Sequence, residues 1–229
     1  MRESRNNPRI WDTDWLVLRP LARLIEDHVR AHVRPPASLL DMGCGDMPYK
    51  STIERLGITY IGADLDDSAD LRINDKGQVP LDAGSIDALL SVQVLEHVRD
   101  IPAYCAELRR LLSDDGTLFL STHGTWLYHP HPEDHRRWTN IGLVAELEGQ
   151  GFAVEEIVPV VGPLATTTLI RLTGFVYVLG KVPLVGRPIG KLLGVIMNLR
   201  ALLEDKLTPE AIRRNDACVY FVRAKKRDA

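Results

Sequence analysis

A chain of 229 residues can bury a sizeable core, and a formal net charge of −3 with mixed signs excludes a general nucleic-acid binder, which would carry a basic excess. No apolar run precedes Trp11, so we expect no cleaved leader and a cytoplasmic protein. Widely spaced cysteines predict free thiols in a reducing compartment rather than a disulfide framework: Cys44, Cys105 and Cys218.

Regular elements alternate along the first half of the chain. Residues 13–33 carry apolar positions at helical spacing, and with Pro20 as a first-turn residue they predict a helix of about four turns that ends before Pro35-Pro36. Apolar runs and turn residues then predict strands over 38–42, 58–63, 70–73, 86–91 and 116–122, and helices over 48–56 and 99–112. Such alternation with short connections indicates parallel strands joined by right-handed crossovers in one α/β domain.

The second half contains a long insertion. A helix over 139–150, with Thr139 as its N-cap, and a strand over 152–160 are predicted first. The matching last strand, 217–222, arrives only after a detour that we interpret as an insertion. Residues 157–203 contain no Asp or Glu but carry five cations: Arg171, Lys181, Arg187, Lys191 and Arg200.

The longest uncharged run of the insertion, residues 157–170, is shorter than the roughly 20 residues that a membrane-spanning helix needs. Two interpretations stay open: helices that pack as a lid or dimer surface, and helices that lie in a membrane interface with cations facing lipid phosphates. We therefore divide the chain into four segments: 1–37 as an N-terminal helical cap, 38–160 as the core, 161–215 as the insertion, and 216–229 as the final strand with a basic tail.

Candidate ligand-binding residues fall where the predicted strands end. The first strand runs into LLDMGCGD, residues 39–46, whose two glycines let the backbone turn sharply and bring its N–H groups close to a ligand. The next strands end at Asp64 and near Ser91, and ligands of parallel sheets bind at this carboxyl edge. Pro48 stands where a dinucleotide-binding loop has its third glycine, which disfavours an NAD enzyme.

Five segments, in order over residues 38–160, resemble the class I S-adenosylmethionine-dependent methyltransferases, specifically the type 11 methyltransferase-domain group: LLDMGCGDMPYK, YIGADLD, VPLDAGSIDALLSVQVLEHVRD, LRRLLSDDGTLFLSTHG and HPEDHRRWTNIGLVAELEGQGF. The resemblance implies a Rossmann-like, seven-stranded α/β sheet, mostly parallel with an antiparallel last strand. An N-terminal helix and a helical insertion between the last two strands would complete it. S-adenosylmethionine is the cofactor that the resemblance implies.

The resemblance also implies which residues bind the cofactor. Asp64 would accept hydrogen bonds from the two ribose hydroxyls, with Leu65 beside it, and an acid before Pro80 would lie near the adenine amino group. The remaining implied residues are Asp41, Gly43, Cys44 and Gly45 around the methionine half, Asn74 and Asp75 near the adenine, and Ser91, Val92 and Gln93 along the other side.

Four of the seven histidines lie within one loop after the fifth predicted strand: His123, His129, His131 and His135. Methyl transfer to a hydroxyl or protonated amine benefits from a general base, for which a histidine with a pKa near 6.5 is suitable. We expect His123 or His129 to be this base, with Asp134, His135 and Arg137 bracing the loop. The loop also offers metal ligands, namely His129, His131, Asp134 and His135, but Pro130 and Pro132 stiffen it and we expect no metal. A purely structural role for its histidines is the remaining alternative.

These features together predict an S-adenosylmethionine-dependent methyltransferase that acts on an oxygen or nitrogen of a small molecule or of a glycan or lipid precursor. If the apolar insertion is a dimer surface, the protein would be a homodimer. If the insertion lies in a membrane interface, the protein would be peripheral to the inner face of the membrane. The alternative function is a catalytically silent cofactor-binding partner that scaffolds another enzyme through the insertion.

Overall fold

The computed structural model describes residues 7–131 and 133–227. Residues 1–6, on which the expectation of no leader partly rests, and residues 228–229 of the predicted basic tail lie outside this description. The helices are α1 (Trp15–His32), α2 (Lys50–Glu54), α3 (Ile101–Leu111), α4 (Asn140–Gly149), α5 (Pro163–Leu179), α6 (Gly186–Leu207) and α7 (Glu210–Asn215), with a 3-10 turn at Leu95–His97. The strands are β1 (Ser38–Met42), β2 (Thr59–Asp64), β3 (Leu71–Arg72), β4 (Ile86–Val92), β5 (Leu112–His123), β6 (Phe152–Val160) and β7 (Val219–Lys226).

The strands form one sheet in the order β3-β2-β1-β4-β5-β7-β6. β1 pairs in parallel with β2 and β4, and the parallel pairing continues to β3 on one side and β5 on the other. β7 lies antiparallel between β5 and β6. The predicted fold class, including the antiparallel last strand, is therefore confirmed.

The central strands are buried on both faces, so they read as continuous apolar runs rather than alternating ones. In β1, Leu39 packs in the hydrophobic cluster that faces α1, whereas its neighbour Leu40 packs in the cluster that faces α3. In β5, Phe119 joins the first cluster and Leu118 the second. The sheet thus forms the middle layer between two sets of helices, and its carboxyl edge is left open to ligands.

Helix α1 belongs to the core. Leu21, Ile25 and Val29, spaced four residues apart, have no exposed surface and pack in the same cluster as Leu39. The predicted boundaries after residues 37, 160 and 215 fall between regular elements. Helix α1 and the sheet share one hydrophobic cluster, so the N-terminal cap packs as part of the core. The four-segment division stays a prediction.

The insertion is helical, as predicted, and consists of α5, α6 and α7. Small residues line the inner face of α6: Gly190, Gly194 and Ala201 are buried. A Cβ atom on Gly194 would lie 2.4 Å from the carbonyl oxygen of Trp11, so only glycine allows this close approach. No helix in the described ranges is both long enough and apolar enough to cross a bilayer.

The N-terminal segment is fixed to α6 by Asn198, which is fully buried. Its Nδ2 donates to the carbonyls of Ile10, at 2.7 Å, and Asp12, at 2.9 Å. Because Asn198→Ala leaves two backbone carbonyls without this donor, we expect it to lower the free energy of unfolding by about 1–3 kcal/mol, measured by urea denaturation. Leu199→Ala, at an exposed neighbouring position, is the control and should change it little. Equal losses in the two variants would contradict this role.

Candidate active site

A cavity of about 430 Å³ lies at the carboxyl edge of the sheet, beyond β1, β2 and β4. A wider groove of about 1040 Å³ runs between α1 and α2, but it lies away from the strand ends. The smaller cavity is the candidate site because glycines, an acid and histidines meet there. Its lining residues are Met42, Gly43, Gly45, Asp64, Leu65, Ile73, Gly77, Val92, Gln93, Val94, His97, Val98, Tyr104, His129 and His131.

The glycine loop after β1 turns through left-handed backbone conformations, with φ of +78° at Gly43 and +50° at Gly45. A Cβ atom on Gly43 would lie 2.6 Å from Cγ2 of Val94, whereas a Cβ on Gly45 would meet no atom within 4 Å. Gly43 is therefore needed for packing within the wall. Gly45 leaves the backbone open to the cavity, where a ligand can approach it closely.

Asp64, the last residue of β2, links the loop to the cavity. Its Oδ2 accepts a hydrogen bond from the Gly45 amide at 2.7 Å, and its Oδ1 accepts one from the Leu65 amide at 2.7 Å. Each carboxylate oxygen has a second lone pair, so both remain able to accept from ligand hydroxyls. Leu65, 61 % exposed, adds an apolar surface beside this carboxylate.

Three of the predicted binding residues lie behind the cavity wall. Asp41 is buried and accepts a hydrogen bond from the Tyr60 hydroxyl at 2.6 Å. Cys44 is also buried, and burial together with nearby Asp41 raises the pKa of its thiol to about 12. Ser91 has no exposed surface, and its hydroxyl lies 2.9 Å from that of Tyr104. These residues support the wall from within the fold.

Asn74 and Asp75 line a neighbouring depression of about 740 Å³ rather than the cavity. The Asn74 side chain accepts from the backbone amides of Lys76 and Gln78, which shapes a turn. Ile73 and Gly77 of the same segment line the cavity instead. The structure therefore does not bring Asn74 and Asp75 together with Asp64, and their adenine contacts stay a prediction.

Gln93 joins the cavity to the predicted base. It follows β4 with a φ of +54°, and its amide donates to the carbonyl of Ser121 at 2.8 Å. Its side-chain Nε2 lies 3.4 Å from Nε2 of His123. Gln93 and Val92 both line the cavity, where the sequence placed them.

His123, the last residue of β5, is buried against a carboxylate. Its Nδ1 lies 2.5 Å from Oε1 of the fully buried Glu96, whose Oε2 accepts from the Thr122 hydroxyl at 2.8 Å. Burial alone would raise the pKa of Glu96, but the hydrogen bonds from His123 and Thr122 outweigh it and lower the pKa. Glu96 thus stays a carboxylate that orients the His123 ring.

His129 stands between His123 and the cavity. Its Nε2 lies 3.3 Å from Nδ1 of His123, and its backbone amide donates to Asp134 at 2.8 Å. Asp134 also accepts two hydrogen bonds from the Arg137 guanidinium, which holds the pKa of that carboxyl well below its usual range. Burial, helped by neighbouring His123, lowers the pKa of His129 to about 4. At neutral pH His129 is therefore an uncharged imidazole at the cavity wall.

Eight lining residues lie outside the predicted set of site residues, and three of them carry polar side chains: His97, Tyr104 and His131. Nδ1 of His97 donates to the Glu133 carbonyl oxygen, 2.6 Å away, and the ring of His97 lies edge-on to that of His129. Tyr104 reaches the cavity from α3. Burial raises the pKa of its hydroxyl, which therefore stays a phenol. His135, by contrast, is exposed, and its Nε2 lies 3.2 Å from a carboxylate oxygen of Glu133.

Glu96, His123 and His129 also offer three ligand atoms within 4.8 Å of one another, a set that differs from the loop residues considered above as metal ligands. Two ligands of one tetrahedral zinc ion lie roughly 3.3 Å apart, given metal–nitrogen distances near 2.0 Å. The 2.5 Å between His123 and Glu96 is shorter and fits a hydrogen bond. The expectation of no metal stays a prediction.

Comparison with known proteins decides the family. A family model described as a methyltransferase domain matches residues 17–157, which is more than half of the chain. The chain belongs to the class I S-adenosylmethionine-dependent methyltransferases. The class predicted from the sequence motifs is therefore confirmed, and S-adenosylmethionine is the cofactor of this methyltransferase.

Among similar curated proteins is a probable S-adenosylmethionine-dependent methyltransferase of Mycolicibacterium smegmatis, 27 % identical over 55 % of this chain and 56 % of that protein. A ubiquinone biosynthesis O-methyltransferase of Xanthomonas campestris pv. campestris is 32 % identical over 50 % of the chain and 56 % of its own length. The methyltransferase chain thus spans about half the length of these curated relatives.

Solved structures share the fold at low sequence identity. The crystal structure of the [4+2]-cyclase SpnF superposes with a TM-score of 0.60 at 15 % identity, covering 93 % of this chain and 83 % of that one. An S-adenosylmethionine-dependent methyltransferase from Aquifex aeolicus gives a TM-score of 0.51 at 15 % identity, covering 69 % and 90 %. These likenesses concern the fold alone.

The residues at the cavity of the methyltransferase fit its cofactor. The open backbone at Gly45 leaves room for a ligand, and the Asp64 carboxylate keeps acceptor capacity for the hydroxyls of a ribose. The exposed Leu65 offers an apolar contact for a base. We therefore expect the nucleoside at Asp64 and Leu65, and the sulfonium end toward Gln93 and the histidines.

Gly43 tests the packing of the glycine loop. Gly43→Ala forces a Cβ against the stiff Val94 side chain and strains a backbone with positive φ, so we expect at least tenfold weaker binding of S-adenosylmethionine by calorimetry. Gly84→Ala is a matched control, because Gly84 also has a positive φ of +68° but no atom lies within 4 Å of its added Cβ. Weakening by both variants alike would mean that general backbone strain, not the loop contact, is responsible.

The pKa of His129 predicts a dependence of stability on pH. An unfolded histidine takes up its proton near pH 6.5, whereas folded His129 does so only near pH 4. The unfolded chain therefore binds more protons between these values, and the stability is present above pH 6.5 and lost as the pH falls toward 4. We expect His129→Gln to make this loss shallower in urea unfolding series, and His135→Gln to leave it as in the wild type. An unchanged slope in His129→Gln would contradict the depressed pKa.

Proposed function

We propose that this chain transfers the methyl group of S-adenosylmethionine to an oxygen or nitrogen atom of a small molecule or of a glycan or lipid precursor. The observation that carries the proposal is the meeting, in one cavity, of the Gly45–Asp64 cradle with the neutral imidazole of His129. The cofactor supplies an activated methyl group on a sulfonium. The chain's own residues have to align the acceptor, exclude water and remove a proton.

Alignment accounts for much of the expected rate. In-line attack needs the acceptor atom held close to the methyl carbon, and such positioning can supply several kcal/mol of the barrier, up to about 7–11. Val92, Val94 and Val98 give the cavity apolar walls, and Tyr104 adds a neutral hydroxyl. The acceptor would lie between these walls and the histidines.

His129 is the proposed general base. It lines the cavity as an uncharged imidazole, whereas His123 is 4 % exposed and is held by Glu96. As the acceptor loses its proton to His129, the new positive charge lies near the carboxylates of Asp134 and Glu96, both of which favour the charged ring. His123 is then a positioning residue, which fixes the His129 ring and connects it to the buried carboxylate.

An oxygen acceptor is favoured over nitrogen. A hydroxyl gives up its proton during transfer, which suits a neutral histidine, and the similar Xanthomonas protein is named an O-methyltransferase. The second candidate function, a cofactor-binding partner without transfer activity, draws support from the exposed apolar face of the insertion. The fold is compatible with either function, because function lies in the site.

Calorimetry with S-adenosylmethionine tests the cofactor half of the proposal. We expect Asp64→Asn to weaken binding about 10- to 100-fold, the effect of losing charge-assisted hydrogen bonds. Asp115→Asn removes the same charge from an exposed position on β5 and should leave the dissociation constant unchanged. Absence of binding to the wild type at millimolar ligand would overturn the proposed function.

Transfer from tritiated S-adenosylmethionine to a panel of hydroxyl- and amine-bearing small molecules and lipids tests the other half. His129→Gln should bind the cofactor normally but transfer at least about a hundredfold more slowly, as expected for loss of a general base. His135→Gln is the matched control. Cofactor binding without transfer to any acceptor would favour the silent partner. Loss of activity with a chelator, restored by zinc, would show that the three-residue group holds a metal instead.

A further inference from the structure

Helix α6 turns its large apolar side chains outward instead of toward the protein. Its small residues face the protein, while large apolar side chains recur every three or four residues on the opposite side and are 48–68 % exposed. These outward residues are Ile189, Leu192, Ile196, Leu199, Leu203 and Leu207. A helix of a globular protein normally buries such a stripe, so this one is built to be covered by something else.

The apolar surface continues around the tip of the α5–α6 hairpin. Leu184 is 97 % exposed, and Val182 and Val185 beside it are also exposed. On α5, Phe175 and Val178 expose more than half of their surface next to this tip. The tip and the α6 stripe together form one surface, which we call the hairpin face.

The exposed charged residues at the tip of the hairpin face are cations. Residues 157–203 carry five cations and no carboxylate, although the whole chain has 28 Lys and Arg against 31 Asp and Glu. Lys181, Arg187 and Lys191 are exposed at the tip, and Lys181 lies over the Tyr177 ring at 4.4 Å. Farther from the tip, Arg200 is paired with the half-buried Glu204 at 2.7 Å. Arg187 and Lys191 also line a depression to which Asp12 and Asp14 contribute.

The hairpin leaves the sheet at the same edge as the active-site cavity. Val160, which ends β6, pairs with Val219, which begins β7, and Val219 in turn pairs with His123. Since His123 ends β5 at the carboxyl edge, the hairpin begins two strands from the histidine that adjoins the cavity wall. A surface that covers the hairpin face therefore comes close to the side of the fold on which an acceptor enters.

We infer that the hairpin face docks onto a membrane surface rich in anionic phospholipid, with α6 lying in the plane of the interface. Apolar side chains would insert below the headgroups while the cations meet lipid phosphates, the arrangement expected of interfacial amphipathic helices. A second copy of the chain is a poorer occupant, because two-fold pairing of this face would bring the exposed tip cations Lys181 and Arg187 of both copies together. The docking goes beyond the methyl-transfer reaction and does not depend on it.

The test is flotation of the full chain with vesicles of phosphatidylcholine alone and of phosphatidylcholine with phosphatidylglycerol. We expect binding only to the anionic vesicles, weakened by salt. Lys181→Ala with Arg187→Ala should weaken it roughly thirtyfold, from about 1 kcal/mol per cation near the surface. Arg34→Ala with Arg99→Ala, two exposed cations outside the insertion, makes the same charge change and should bind like the wild type.

The apolar part is tested by Leu184→Asn, which keeps a residue tolerant of the positive φ of 63° at this position. We expect roughly tenfold weaker vesicle binding. Ile141→Asn, at a 79 % exposed position on α4, is the matched control. Calorimetry with S-adenosylmethionine on the same variants should give unchanged affinity, so failure of docking and failure of cofactor binding are separable.

Three results would overturn the inference. These are no flotation with anionic vesicles, equal flotation with neutral ones, or a stable dimer in light scattering that Leu184→Asn dissociates. In the last case the hairpin face would be an interface between two copies.

Discussion

The hydrogen bond between the Asp64 carboxylate and the Gly45 amide, 2.7 Å long, joins the ends of the first two strands into one cradle. It forms because β1 and β2 run in parallel, so that Met42 and Asp64 reach the same edge of the sheet. Gly45 can present its amide to the carboxylate because it adopts a positive φ. This hydrogen bond fixes one wall of the cavity, and the expected pose of the cofactor depends on it.

A second, buried interaction organises the opposite wall. Glu96 has no exposed surface, and a carboxylate can be kept there only because His123 and Thr122 hydrogen-bond both of its oxygens. The uncharged ring of His129 lies next to His123, which Glu96 holds in place. The wall formed by Gly45 and Asp64 suits a nucleoside, and the wall that contains His129 suits proton removal.

Most strands and helices could be predicted because their periodicities are local in sequence, whereas the seven-stranded sheet with its antiparallel last strand was implied by the family resemblance. The site was predicted less completely. Asp41 and Ser91 stand beside cavity residues in the chain, but alternate residues of a strand point to opposite sides, so these two lie behind the cavity wall. Cys44, in the loop between Gly43 and Gly45, is buried as well. Tyr104 and His97 reach the cavity only through the packing of α3 and the 3-10 turn, which no single motif in the chain encodes.

The histidine loop is stitched to the rest of the fold by its backbone as well as its side chains. The backbone amide of His135 donates to the backbone carbonyl of Glu96, and that of Trp138 donates to the backbone carbonyl of His123. The Arg136 guanidinium donates to the carbonyl of Val98. These hydrogen bonds restrain the loop before any ligand binds. The loss of conformational entropy on ordering the loop therefore does not weaken ligand binding. In the proposed reaction, a side of the site held in this way would select acceptors by their shape rather than close around them.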